Sequence, residues 1–419
     1  MKQLITGDEA AAIAAKLARV KVISAYPITP QTIIVERLAE FVANGELDAE
    51  YIKVESEHSA LSACLGAAAV GARTFTATSS QGLMLMSEIL FVVSGMRIPI
   101  VMANVNRSLS APLSIWCDQQ DSVAVRDCGW IQLYCEDNQE ILDSTIQAFR
   151  IAEESLLPVM VCFDGYILSH TAEPVEIPEQ AEVDKFLPPY KYPYPLDPEK
   201  PITMGAVGVP EYYEEFRYML QEDVLKSKEK IIEVGQAFGE QFGRKSGLIE
   251  CYKSDDADVI LLTMGSLGGS VKEVIDEYRG HGERVGLVKV RSFRPFPEKE
   301  LVDSLGHTKA IAVLEKDFSP GSTGALFSDL SGAFVNSKKA PLLLNFICGL
   351  GGRDVSSLQI REATKAAMEA AKTGEVKKTV RWLGLRETMV GLKPRAPCPK
   401  KNCLRLGTVH AQGVAAFLR

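Results

Sequence analysis

The sequence predicts an α/β protein of two domains, the first built on a doubly wound, mostly parallel sheet. Three observations predict it. Short β-branched runs alternate with helix-length segments, a proline-rich stretch interrupts this alternation at 188–201, and the alternation resumes at 258. Strands flanked by helices of about ten residues or more imply βαβ units, whose strands are covered on both faces and read as continuous apolar runs. With 419 residues the chain can bury two separate cores.

Taken in order, an alanine-rich helix over 6–18 precedes the strand VKVIS (20–24), and Pro27 and Pro30 then break the chain before a helix near 31–44. There follow YIKVE (51–55), an alanine-rich helix from about Ser59, TFTATSS (74–80), a helix near 83–94 and the strand IPIVMANV (98–105). WIQLYCE (130–136), a helix near 138–155 and PVMVCFD (158–164) complete a first domain over 1–187. Residues 188–256 read as a connecting segment, first the extended PPYKYPYPLDPEKP and then a charged helix near 210–243. The second domain, 257–385, takes its strands from DVILLTMG (258–265), RVGLVKVRS (284–292), KAIAVLEK (309–316) and APLLLNFI (340–347), and a helix near 355–372 closes it. The basic stretch 386–419, with Pro394 and Pro397, reads as a tail that packs on a partner.

Composition narrows the function. The 46 Lys and Arg against 54 Asp and Glu give a net charge of −8 with no long basic run, which argues against nucleic acid as a partner. No apolar run approaches the roughly 18 residues of a membrane span, and no signal core follows the N-terminus, so a cytoplasmic location is expected. Nine cysteines are scattered without a C-x-x-C pair, as expected for reduced core thiols.

In an open parallel sheet, ligands sit beyond the carboxyl ends of the strands. Four segments follow strands in this way. YPITP (26–30) fixes the backbone around Thr29 with two prolines; VESEHSA (54–60) puts Glu57 at a helix start; TATSSQGLMLM (76–86) bends at Gly82; and NRSLSAPLSIWCDQQDS (106–122) carries Arg107 at a strand end. Each alone has a plainer explanation: a rigid turn, a carboxylate complementing a helix dipole, a small-residue bend, a surface ion pair. GSLGGS (265–270) suits a tight turn or a phosphate, and His58, beside Glu57, suits a helix start or assistance in proton transfer.

Together, YPITP, the SE before an alanine-rich helix, TSSQGL, NR-x-LSAPLSIW-x-D-x-x-D and VCFDGYILSHT resemble the alpha subunit of pyruvate:ferredoxin and related 2-oxoacid:ferredoxin oxidoreductases. VRSFRPFP (290–297) and GLGGRDV (349–355) extend the resemblance past the connecting segment, so it covers roughly 1–385; CPKKNC (398–403), with Cys398 and Cys403, lies outside it. The resemblance implies that the first domain is the pyrimidine-binding module of thiamine enzymes and that the second is similar to the transketolase C-terminal domain. It implies that Glu57 bonds N1′ of the cofactor's aminopyrimidine and that Thr29 and Arg107 bind substrate.

The chemistry accounts for these residue types. Thiamine becomes a nucleophile when its 4′-amino group turns to the imino form and takes the C2 proton, and a carboxylic acid at N1′ drives that tautomer. Such a general acid/base device contributes on the order of 10²–10⁴-fold in rate. Arg107 offers a planar fork to the substrate carboxylate and Thr29 a short hydroxyl. The implied reaction is oxidative decarboxylation of pyruvate with coenzyme A to acetyl-CoA, carbon dioxide and reduced ferredoxin, with another 2-oxoacid (branched-chain, aryl, 2-oxoglutarate or oxalate) or a catalytically silent structural subunit as alternatives. FDGY (163–166) lacks the first glycine of the family's diphosphate-and-metal motif, and cluster-binding C-x-x-C runs are missing. Mg²⁺ and [4Fe–4S] clusters are therefore expected in beta, gamma and delta partner subunits, or fusions of them, with ferredoxin as acceptor.

Overall fold

The computed structural model describes residues 1–337 and 340–391. Met1–Arg381 forms one compact unit. The chain from Trp382 onward is a second, of which the described part, to residue 391, consists of a strand end and turns. Cys398, Cys403 and most of the expected tail lie outside the described residues.

The first sheet contains β2 (Val22–Ala25), β3 (Glu50–Lys53), β4 (Thr74–Thr78), β5 (Val101–Asn106), β6 (Ile131–Tyr134), β7 (Val159–Asp164) and β12 (Ser292–Arg294), in the order β12-β6-β7-β5-β4-β2-β3. All pairings are parallel except β12 with β6. Every residue of β5 and β7 is buried, because helices cover both faces. Their register sets Asn106 beside Asp164, so the two strands end level.

The helices are α1 (Gly7–Leu17), α2 (Thr32–Ala43), α3 (Glu57–Ala69), α4 (Ser80–Leu85), α5 (Ser87–Gly95), α6 (Gln120–Ala124), α7 (Asn138–Ser155) and α8 (Gln180–Phe186). Thr6 and Glu9 form a reciprocal capping box that starts α1, and the Asp137 side chain accepts from Glu140 N to start α7. The helix expected near 83–94 is two helices, α4 and α5, meeting at Met86. A two-stranded antiparallel ribbon, β1 (Lys2–Thr6) with β8 (Ala172–Glu176), was not expected from sequence. The long α9 (Tyr213–Phe242), foreseen only as part of the connecting segment, lays Leu220, Ile231, Val234 and Phe238 into the first sheet's core. The proline-rich stretch is extended but docked: Leu196 N donates to Ala69 O, and Tyr192 is buried.

The second sheet has the order β15-β14-β13-β10-β11-β9, from β9 (Ile249–Tyr252), β10 (Val259–Thr263), β11 (Val285–Val290), β13 (Ala310–Glu315), β14 (Leu342–Ile347) and β15 (Val380–Trp382). β10, β11, β13 and β14 pair in parallel, while β9 runs antiparallel to β11. Around it lie α10 (Leu267–Gly280), α11 (Glu298–Leu305), α12 (Ala325–Phe334), a 3₁₀ turn (Leu350–Gly352) and α13 (Ser357–Thr373). The strand expected over 284–292 splits at Arg291. The Arg291 and Ser292 amides both turn to Leu248 O, and the chain continues as β12 on the edge of the first sheet.

One buried cation ties several of these pieces together. Arg73, just before β4, bonds Glu153 of α7 through Nε (2.5 Å) and Nη2 (2.9 Å), Ala18 O through Nη1 (2.6 Å) and Pro188 O through Nη2 (2.9 Å). Arg73→Met leaves Glu153 charged and unpaired in the interior, so urea unfolding should show a loss of about 3–5 kcal/mol, with much of it regained in Arg73→Met/Glu153→Met. A loss of under about 1 kcal/mol in the single variant would show that solvent reaches the pair.

Candidate active site at the carboxyl edge of the first sheet

Five donors converge on one carboxylate at this edge. Asp121 of α6 is fully buried and accepts from Ser80 N (3.0 Å), Arg107 N (3.1 Å) and Asn104 Nδ2 (3.4 Å) on one oxygen, and from Asn106 Nδ2 (2.8 Å) and Ser122 N (2.8 Å) on the other. Burial keeps the Asp121 carboxyl above its ordinary range although these donors pull it down. The hub joins the turns after β4 and β5. It also holds Ser80 in the left-handed region (φ 50°), a conformation that Ser80 Oγ further fixes by donating to Ser108 O (2.6 Å).

Glu57 is the first residue of α3. Ser56 caps that helix by accepting from Ser59 N, which sets Glu57 at the edge after β3. The residue is 7% exposed and its carboxylate, among the described residues, has no hydrogen-bond partner. Gly82 of α4 lies against it: a Cβ there would stand 2.7 Å from Glu57 Oε1 and 2.5 Å from Thr78 Oγ1. His58 points elsewhere and pairs with Glu88 (3.6 Å) on the surface, so proton transfer through His58 is not supported by the geometry.

Thr29 and Arg107 come together. The Arg107 guanidinium is buried, donating from Nη1 to Thr29 O (2.8 Å) and from Nε to Ser114 O (2.9 Å). Five N–H groups less these two leave three without a partner among the described residues, one on Nη1 and two on Nη2. Burial lowers the Arg107 pKa, offset in part by Tyr166 and Asp121. The Thr29 side chain is exposed, and its turn is held by Gln31 Nε2 donating to Tyr26 O (2.8 Å) and by Pro30 lying against Gly165. Glu57 makes no hydrogen bond or ion pair with either residue.

Two sequence motifs have internal partners instead of ligands. Asp164 of FDGY is fully buried and binds Lys316 Nζ (2.9 Å), Ser266 N (3.1 Å), Ser266 Oγ and Cys117 Sγ (3.1 Å). Burial alone would raise its pKa, but Lys316 and Ser266 hold it below the usual carboxylate range. The GSLGGS segment therefore offers its first amide after Gly265 to Asp164, and a Cβ on Gly268 would stand 3.1 Å from Glu136 Oε2. It is a tight turn filled by the protein's own acids, and the phosphate reading falls. Asp121 and Lys316 were missed from sequence; the D-x-x-D spacing at 118–121 was visible, but its donors come from other strands.

A family model described as the thiamine-diphosphate-binding domain of pyruvate flavodoxin/ferredoxin oxidoreductase matches residues 13–236, more than half of the chain. The chain belongs to this family. The model for pyruvate:ferredoxin oxidoreductase core domain II matches residues 257–360. Among relatives, a pyruvate synthase subunit PorA from Pyrococcus abyssi is 52% identical over 394 residues, 93% of this chain and 100% of that one. PorA of Methanocaldococcus jannaschii is 55% identical over 392 residues, 92% of this chain and 98% of that one. A ketoisovalerate oxidoreductase subunit VorA from Pyrococcus horikoshii is 48% identical over 388 residues, with the same shares, 92% and 98%. The fold is also that of a 2-oxoglutarate:ferredoxin oxidoreductase from Magnetococcus marinus (TM-score 0.69, 21% identity), which overlaps 87% of this chain and 65% of that one. A split-gene transketolase matches with TM-score 0.53 and 13% identity over 87% of this chain and 98% of that one. As an oxidoreductase of this family, the chain works as one subunit of a complex.

The packing of Gly82 generates a test. Gly82→Ala should push the Glu57 carboxylate from its place without disturbing the Asp121 hub. In the assembled complex, 2-oxoacid oxidation should fall by roughly 10²-fold, the scale of a displaced acid/base group, with normal subunit content. Activity within twofold of the parent would show that Gly82 does not set the Glu57 position.

Proposed function

We propose that this chain is the alpha subunit of a pyruvate:ferredoxin oxidoreductase and contributes the aminopyrimidine and substrate-carboxylate half of a shared active site. The observation that carries the reading is Glu57: a mostly buried residue whose carboxyl has no partner among the described residues, beside a glycine, at the carboxyl edge of a parallel sheet. That arrangement fits the N1′ edge of thiamine diphosphate, which supplies the carbon nucleophile and electron sink when bound. Glu57 holds the proton at N1′. The remaining Nη1 and Nη2 hydrogens of Arg107 take the 2-oxoacid carboxylate, and the exposed Thr29 donates its hydroxyl beside it.

In this reading residues 1–187 are the pyrimidine-binding domain, 188–256 the connecting segment and 257–385 the transketolase-like domain. Asp164 is engaged with Lys316, which supports assigning the diphosphate and Mg²⁺ to a beta subunit. The [4Fe–4S] clusters belong to gamma and delta subunits, ferredoxin accepts the electrons, and coenzyme A takes the acyl group; a bound coenzyme A in the Magnetococcus marinus enzyme supports the last point. No helix among the described residues is long and apolar enough to cross a membrane, in keeping with a cytoplasmic complex. A branched-chain 2-oxoacid is the second reading, supported by the VorA relatives.

Steady-state assays of the assembled complex test both points. Coenzyme A-dependent reduction of a one-electron acceptor should show a higher kcat/KM with pyruvate than with 3-methyl-2-oxobutanoate; the reverse order makes this a branched-chain enzyme. Arg107→Lys keeps the charge and loses the fork, so the pyruvate KM should rise roughly tenfold or more, as for loss of one hydrogen bond to a charged group. An unchanged KM with weakened cofactor binding would give Arg107 a different ligand.

A further inference from the structure

A glycine loop of the second sheet is docked, backbone first, onto the segment that carries Arg107. In loop 349–352, Gly349, Gly351 and Gly352 all have positive φ (68°, 58° and 72°), which side chains rarely tolerate. Gly351 N donates to Asp118 Oδ2 (3.2 Å) and Gly352 N to Cys117 O (2.6 Å). The contact is too close for a side chain, since a Cβ on Gly352 would stand 2.5 Å from Trp116 Cβ. From there the connections run to the substrate arginine. Trp116 O accepts from Ser108 N (3.1 Å) and Ser108 Oγ (3.1 Å), and Ser114 O accepts from Arg107 Nε (2.9 Å). Asp118 is 1% exposed and touches Gln120 N (3.2 Å) with its other oxygen, so both acceptors face backbone amides. Burial, with Asp121 nearby, pushes the Asp118 carboxyl up to about 7, a cost that an apolar residue at this position would not carry.

We propose that Asp118 and loop 349–352 form a positioning device that aims the Arg107 guanidinium, so that the second sheet governs how the 2-oxoacid carboxylate is held. Asp118 touches no reacting atom; it acts through the segment 114–118. The inference rests on Arg107 being the carboxylate ligand. It gives the GLGGRDV motif a function beyond the resemblance it carries.

Two variants approach the device from opposite sides. Asp118→Asn replaces one acceptor by a donor facing a backbone amide, and Gly352→Ala drives a methyl into Trp116. In the assembled complex each should raise the pyruvate KM about fivefold or more while kcat stays within about twofold, and the double variant should raise KM no further than the larger single effect, because both act on one linkage. Assembly is checked by subunit content and cofactor occupancy. An unchanged KM in an assembled Gly352→Ala complex, a fall in kcat at constant KM, or KM effects that multiply in the double variant would each overturn the proposal. The result for Arg107→Lys separates the two ideas: if it raises KM while Asp118→Asn and Gly352→Ala do not, only the positioning device fails; if it leaves KM unchanged, the assignment of Arg107 fails first.

Discussion

The Asp121 carboxylate is the constraint on which this edge of the molecule depends. Parallel strands end in turns whose amides have left the ladder, and those amides need acceptors where water is excluded. Asp121 supplies acceptors for the turn after β4 and the turn after β5 at once, drawing both onto α6. A buried charge that accepts five donors tolerates little displacement, because each lost bond leaves a desolvated group behind. Ser80 is held in a left-handed conformation on one side, and the Arg107 main chain is fixed on the other.

The second sheet completes this edge. Asp164 at the end of β7 and Lys316 just after β13 form an ion pair with side chains 0% and 5% exposed. Such a pair gains little over an apolar contact, but removing one partner is costly, so it specifies how the strand ends of the two sheets face each other. β12 reinforces the arrangement by adding a strand from beyond the connecting segment to the first sheet. Loop 349–352 then closes on segment 114–118. Arg107 is thus supported from both sheets, while Thr29 stays exposed beside it.

The α/β class was legible because fully buried parallel strands such as β5 and β7 appear as unbroken apolar runs, and because Thr29, Glu57 and Arg107 each stand just past a strand. The ribbon of β1 and β8 was not, since three of the five β1 residues are exposed and its partner lies far along the chain. Where one apolar run serves two elements, as at Met86 and at Arg291, periodicity does not mark the break; caps and distant acceptors do. The same limit hid the polar network: a sequence shows that Asp121, Asp164 and Lys316 exist, but not that amides and cations from other strands will reach them. His58 and GSLGGS show the converse, since suggestive neighbours in sequence turn toward Glu88 and toward the protein's own acids.

The proposed chemistry depends on a proton at Glu57. The most direct measurement is hydrogen–deuterium exchange at C2 of thiamine diphosphate bound to the assembled complex, followed by acid quench and NMR, for the parent and for Glu57→Gln. Glutamine preserves the size and an acceptor but cannot donate to N1′, so exchange should slow by roughly 10²-fold or more while cofactor occupancy and cluster content stay normal. Near-parental exchange in an intact Glu57→Gln complex would reduce Glu57 to a carboxylate complementing the α3 dipole, worth about 1 kcal/mol or less, and would contradict its proposed role at N1′.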